Sequence, residues 1–204
     1  MSSPLNFDLM IDIETLALHN QFAWILSVAC VPFCPDGSRL PVMESWPAFA
    51  IRLGDDAQGA ARQVPRVVDS STINWWFADE REAARSELAK LAEFSYSEGL
   101  QRVADYINAA NNIWARGPQF DLTNVFTQCS MRDIEITKTP YNWRDSRSLS
   151  EIYGDANYRE FMKRANALPH SAMHDAIAEV EFVQFMHIFI SENIETFHPK
   201  SARH

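Results

Sequence analysis

From Phe7 to Glu14 apolar and polar positions alternate. Phe7, Leu9, Ile11 and Ile13 fall on one side, and Asp8, Met10, Asp12 and Glu14 on the other. A period of two predicts a strand with one apolar face. A second apolar run, FAWILSVACVPF, spans 22–33, and Asp36-Gly37 after it is a hairpin turn signal. RLPVMESWPAFAI, 39–51, is a third strand candidate, so a three-strand antiparallel meander is expected first. The pattern then changes. Residues 54–70, rich in Gly, Ala and charge, read as a loop, and SSTINWWFADEREAARSELAKLAEF after them reads as helix with Ser71 or Thr72 as cap. In SEGLQRVADYINAAN, Leu100, Val103 and Ile107 share one helical face. NIWAR, 112–116, is a short strand broken by Gly117-Pro118. FDLTNVFTQCSM and DSRSLSEIYG follow as helices, 154–168 reads as irregular, and a long helix is expected from His170 to about Asn193. The order β-β-β-α-α-β-α-α predicts an α/β protein: a mixed sheet, the meander plus parallel strands, flanked by helices.

The 204 residues suit one domain, with a core at about 5–193 and a C-terminal tail at 194–204. Hydrophobic residues make up 47% and aromatics 12%, enough for a sizeable core. No apolar stretch approaches the roughly 18 residues that span a bilayer, and no signal-peptide pattern opens the chain. A soluble cytoplasmic protein is expected. Cys30, Cys34 and Cys129 are an odd number, two of them in an apolar run, so buried free thiols are expected. A net charge of −9 argues against coating duplex nucleic acid through bulk positive charge. It leaves open an enzyme whose acids are neutralised by metal ions.

Asp12 and Glu14 are i and i+2 on one strand face. Two surface acids could sit there, but like charges at this spacing repel unless a cation lies between them. Hard carboxylate oxygens suit Mg²⁺ or Mn²⁺. Asp121 follows the strand end at Arg116-Gly117, where an acid complements a helix N-terminus or supplies a third carboxylate to the sheet. In HSAMHDAIAE, His170 precedes Asp175 by five residues, and Asp175 and Glu179 share a helical face. His170 and His174 have zinc-pair spacing, but no further His or Cys lies at ligand spacing, so zinc is disfavoured.

Asp-x-Glu on a first strand, an Asp after a later strand and His-x4-Asp opening a last helix together resemble the DEDDh 3′–5′ exonucleases. STINWW, IWARGPQFDLTNV, WRDSRSL and HSAMHDAIAEV resemble the branch that holds phage exonuclease VIII-type proteins and a mycobacterial-type exoribonuclease. The resemblance implies a ribonuclease-H-like fold and metal-dependent hydrolysis of single-stranded DNA or RNA from 3′ ends, releasing nucleoside monophosphates. It implies two divalent cations, Mg²⁺ or Mn²⁺, held by Asp12, Glu14, Asp121 and Asp175, with Asp12 bridging. His170 is the implied general base, with His174 its rival, and imidazole suits that role because its ordinary pKa is near neutrality. A histidine on the segment entering the last helix can swing in when substrate arrives. Thr15 and Leu16 are the implied grip on the terminal nucleotide. Trp75 and Trp76 are candidates for stacking on bases, and Arg159, Lys163 and Arg164 for phosphate contacts. Asp145 and Arg147 are a candidate pair beside the site. Asp8 reads as a surface acid. Ala17, Trp24 and Arg116 depart from the family pattern and bear on substrate fit. A homodimer is implied by resemblance. The alternative is a catalytically quiet nucleic-acid-binding or scaffold protein, although no catalytic position is missing.

Overall fold

The strands are β1 (Asp8–Thr15), β2 (Ile25–Phe33), β3 (Phe49–Leu53), β4 (Ala92–Phe94), β5 (Ile113–Ala115) and β6 (Trp143–Asp145). In the computed structural model, which describes residues 6–18, 20–38 and 46–197, they form one sheet in the order β4-β3-β2-β1-β5-β6. β1, β2 and β3 pair antiparallel, and β4, β5 and β6 join in parallel. This is the mixed sheet that the chain order predicts. The β1–β2 register, with Asp12 opposite Ala29, shifts between Glu14 and Thr15. The strand therefore becomes irregular directly after its second acid.

The helices are α1 (Ala57–Ala61), α2 (Ser70–Trp76), α3 (Glu82–Leu88), α4 (Tyr96–Ala109), α5 (Asp121–Ser130), α6 (Ser146–Tyr153), α7 (Asp155–Ala165) and α8 (Ala172–Phe197). Leu9, Ile11 and Ile13 of β1 pack with Leu100, Val103 and Ile107 of α4 and Leu122 and Val125 of α5. On the other side Met10, Ala29, Val31 and Phe33 meet Ala172, Ala176, Val180 and Val183 of α8. Asp12 and Glu14 share that second side with Met10. The acidic face of β1 is thus covered by a helix rather than solvated. Asp8 is no surface acid either. It is 5% exposed and accepts from Asn112 Nδ2 (2.9 Å) and Trp114 Nε1 (2.7 Å), which ties β1 to β5.

Several boundaries differ from the sequence reading. The 54–70 segment holds α1, capped by Asp56, whose carboxylate accepts from the Gly59 amide. α2 is capped by Asp69, not Ser71 or Thr72. The continuous helix expected after it breaks at Trp76 into a 3-10 turn (Asp79–Arg81), α3 and β4. Arg85 explains the break: its guanidinium donates to the carbonyls of Trp76 and Ala78, which a continuing helix would use itself. β4 and β6, three residues each, are too short for periodicity to show. The region expected to be irregular contains α7, which lays Tyr158, Phe161 and Met162 against Phe182 and Met186 of α8. α8 begins two residues after His170 and continues past Asn193 to Phe197. The first half of the third strand candidate, 39–45, and the tail after Phe197 lie outside the described residues. Cys30 and Cys129 are buried and Cys34 half-buried, all three free. No helix among the described residues is long and apolar enough to cross a membrane.

Candidate active site

β1 supplies Asp12 and Glu14, the first turn of α5 supplies Asp121, and the first turn of α8 supplies Asp175. One ligand atom each from Glu14, His170 and Asp175 lie within 4.8 Å of one another. Burial raises the Asp12 carboxyl well above its usual range, reinforced by the charges of Asp121, Glu14, Asp175 and Glu179. Burial, then Asp175 and Asp121, push Glu14 up to about 8, with Arg81 opposing them. Asp121 is pushed up to about 7 by burial, against hydrogen bonds from the Ile13 amide and its own. Asp175 is also raised by burial, although the Asn166 side-chain amide and the His170 N–H (3.0 Å) both donate to it.

Four desolvated carboxylates therefore raise one another's affinity for positive charge. Crowded hard oxygens of this kind fit divalent cations such as Mg²⁺ or Mn²⁺. A stability consequence follows for metal-free protein. A carboxyl whose pKa is raised on folding stabilises the fold while protonated, and that stability is lost as pH rises from its unfolded to its folded value. Glu14 and Asp121 place the loss between about 4 and 8. In EDTA the protein is expected to melt several degrees higher at pH 5.5 than at pH 8, and Mn²⁺ should erase the difference. Equal EDTA melting temperatures would count against mutual repulsion.

His170 holds a left-handed backbone, φ 68°, fastened through its N–H to Asp175. Its ring meets Trp75 edge-on, centroids 4.8 Å apart, and the Arg81 guanidinium covers the Trp75 ring at 4.4 Å. It is already turned inward, not swung away. Burial, then Arg81, lower its pKa, which favours the neutral imidazole. His174 Nδ1 pairs instead with Ser171 Oγ at 3.1 Å.

The other sequence candidates divide. Thr15 is buried, with Oγ1 donating to the Ala17 carbonyl (2.8 Å), and half-buried Leu16 is held through its main chain by Trp24 and Asp69. Trp76 is 4% exposed and donates Nε1 to the Thr15 carbonyl (2.9 Å), so it braces β1 and offers no ring face to a base. Arg159, Lys163 and Arg164 lie on the exposed side of α7, two of them bonded to Glu160, and none touches the five residues. Asp145 and Arg147 form no ion pair among the described residues. Asp145 caps α6 through the Arg147 amide (2.9 Å) and accepts from the Gly117 amide (3.0 Å). The Arg147 guanidinium fills the place of a Gly117 side chain, its Nη2 only 2.7 Å from where a Cβ would stand.

A buried network that the sequence does not announce lies behind the site. Glu179 accepts from Ser146 Oγ (2.6 Å) and from Tyr158, and Arg116 lies 3.7 Å away while stacking on Tyr158 at 3.9 Å. The i, i+4 spacing from Asp175 marked Glu179, but nothing local marked Tyr158, on a segment read as irregular. The Arg116 departure supplies the countercharge to this fifth carboxylate. A cleft of about 770 Å³ also opens beside Asp121, lined by Leu18, Phe22, Phe120, Arg116 and Arg147.

A curated exodeoxyribonuclease of Enterobacteria phage T4 is 27% identical over 121 residues, 56% of this chain; the chain spans about half (52%) of that relative's length. The nuclease domain of 3′hExo, described as a DEDDh family member bound to rAMP, superposes with a TM-score of 0.56 over 95% of both chains at 11% identity. Exonuclease I of E. coli in complex with a dT13 oligonucleotide gives 0.59 over 94% of this chain and 42% of its own at 13% identity. At such identities these two show the fold, which is the ribonuclease-H-like arrangement expected. The family model described as the 3′–5′ exoribonuclease Rv2179c-like domain matches residues 7–187, and the chain belongs to that family.

Proposed function

We propose that the chain is a metal-dependent 3′–5′ exonuclease that removes nucleoside monophosphates from single-stranded DNA or RNA. The convergence of Glu14, His170 and Asp175 to within 4.8 Å, with Asp12 and Asp121 close enough to shift the same charges, carries this reading. Asp12, Glu14, Asp121 and Asp175 would hold the Mg²⁺ or Mn²⁺ ions. Bound there, the ions would supply Lewis acidity for the attacking water and for the leaving 3′-oxygen. His170 takes the proton from that water, and its lowered pKa leaves it free to do so. The His170 N–H bond to Asp175 fixes base and carboxylate relative to each other. Glu179, one turn after Asp175, ties α8 to α6 through Ser146 and to α7 through Tyr158. Thr15 and Leu16, directly after Glu14, would border the terminal nucleotide.

The test is direct. Single-stranded DNA and RNA carrying a 5′ label are incubated with the protein and Mg²⁺ or Mn²⁺. A ladder that shortens from the 3′ end, with monophosphates as product, is the expected result. Intact strands of both kinds with both metals would leave only a binding protein. The ratio of the two rates decides between DNA and RNA.

A further inference from the structure

We propose that Arg81 grips a phosphate of the substrate strand beside His170, with Trp75 as the platform that aims its guanidinium. The proposal rests on the nuclease reading above and adds a substrate contact to it. Arg81 ends the 3-10 turn that breaks the helix after α2. Its guanidinium lies 4.4 Å over the Trp75 ring, and that ring meets the His170 imidazole at 4.8 Å. Arg81 over one face of Trp75 and His170 meeting that ring edge-on thus form a contiguous row that ends at the Glu14–Asp175 cluster.

Apart from its charge acting on Glu14 and His170, the guanidinium has no direct polar partner among the described residues. Its Nε is buried without a hydrogen-bond partner, and among the described residues it forms neither an ion pair nor a hydrogen bond. Arg85, one turn on, shows the contrast, because its guanidinium is engaged by the carbonyls of Trp76 and Ala78. The Arg81 Nε itself is closed to solvent, but the residue is only half-buried, so its terminal Nη groups are the donors that an incoming phosphate oxygen can reach. The fork of an arginine matches two phosphate oxygens, and stacking on an indole holds its plane without tying up its N–H groups. A chain of net charge −9 that must admit a polyanion to a pocket of carboxylates needs such a cation at the pocket's edge. Trp75, 37% exposed, then serves the arginine on one ring face instead of a base.

Steady-state kinetics on a labelled single strand at several salt concentrations test this, comparing the unmodified protein with Arg81→Gln, Arg81→Lys and Trp75→Phe. Arg81→Gln should raise KM roughly tenfold, the cost of one charge-assisted phosphate contact. The slope of log KM against log salt should fall by about 0.7, the counterion share of one contact on a single strand. Arg81→Lys should keep the slope and lose part of the affinity, and Trp75→Phe, which offers the guanidinium a weaker ring face, should raise KM by less than Arg81→Gln with the slope unchanged. Melting temperatures identify a variant that fails to fold, in which case Arg81→Lys carries the test. Unchanged KM and slope in every folded Arg81 variant, or a loss of kcat alone, overturns the proposal while the nuclease reading stands. An unmodified protein that shortens neither strand overturns the nuclease reading itself.

Discussion

Asp12→Asn is expected to lower kcat by roughly 10³-fold or more and, in the same protein, to raise the metal-free melting temperature at pH 8. The two effects have one origin. Asp12 is surrounded by the charges of Asp121, Glu14, Asp175 and Glu179, and burial adds to the cost of its own charge. Asparagine keeps the size and one oxygen but removes the charge. Without metal the repulsion falls, and for a chain of this length each kcal/mol recovered is worth about 2–4 °C. With Mn²⁺ the benefit reverses, because the ion loses a negative ligand and stabilises the native state less. The expected signature is a rise of a few degrees in EDTA, a smaller Mn²⁺-induced rise than in the unmodified protein, and no measurable ladder. At pH 5.5, where Glu14 and Asp121 are largely protonated, the EDTA difference should shrink. A metal-free Asp12→Asn protein that melts below the unmodified one at pH 8 would mean that the carboxylate braces the fold instead.

Strand and helix periodicity put pairs of acids on shared faces, and only the resemblance to the DEDDh exonucleases joins them with Asp121 and His170 into one set. Asp12 and Glu14 share a face by the period of two, and His170, Asp175 and Glu179 announce the start of α8. What lies against that face was not legible. Asp8 reads as a surface acid only until Asn112 and Trp114 come to it across more than a hundred residues. Arg116 reads as a departure until Glu179 and Tyr158, from two other helices, surround it. α7 was missed although Tyr158, Phe161 and Met162 have helical spacing, because polar residues interrupt its only apolar stripe. β4 and β6 were missed because three residues carry no period, and their pairing is decided by longer neighbours. Arg159, Lys163 and Arg164, chosen for their closeness to His170 along the chain, lie exposed on α7, two of them bonded to Glu160.

Asp56→Ala is expected to cost about 3–5 kcal/mol because it strands the buried Arg132 charge, and Arg132→Met somewhat less, because Arg66 Nη1 still lies 3.9 Å from the Asp56 carboxylate. Both side chains are fully buried. Arg132 Nε donates to Asp56 Oδ1 (3.1 Å), and Nη1 donates to the Gln128 carbonyl (2.9 Å) and Oε1 (2.7 Å). The guanidinium also lies 4.6 Å over the Tyr96 ring, and the Tyr96 hydroxyl accepts from the Ile25 amide (2.9 Å). Gly59 passes so close to the pair that a Cβ there would meet both partners inside 3 Å, so α1 is pressed onto the ion pair. The arrangement pins the C-terminal end of α5, whose first residue is Asp121, to the α1 turn and to α4. At about 2–4 °C per kcal/mol, Asp56→Ala should lower the melting temperature by roughly 6–20 °C and Arg132→Met by less. The double variant Asp56→Leu/Arg132→Met should recover most of that loss, since apolar groups of similar volume commonly replace a buried ion pair without penalty. The Gly59 amide, which donates to Asp56, would still lack its acceptor, so recovery should stop short of complete. Below the melting transition kcat should hold in all three variants, because the pair stabilises the α5 end opposite Asp121. A double variant no more stable than the singles would show that the guanidinium's remaining bonds, to Gln128 and over Tyr96, hold the fold more than its charge pairing does.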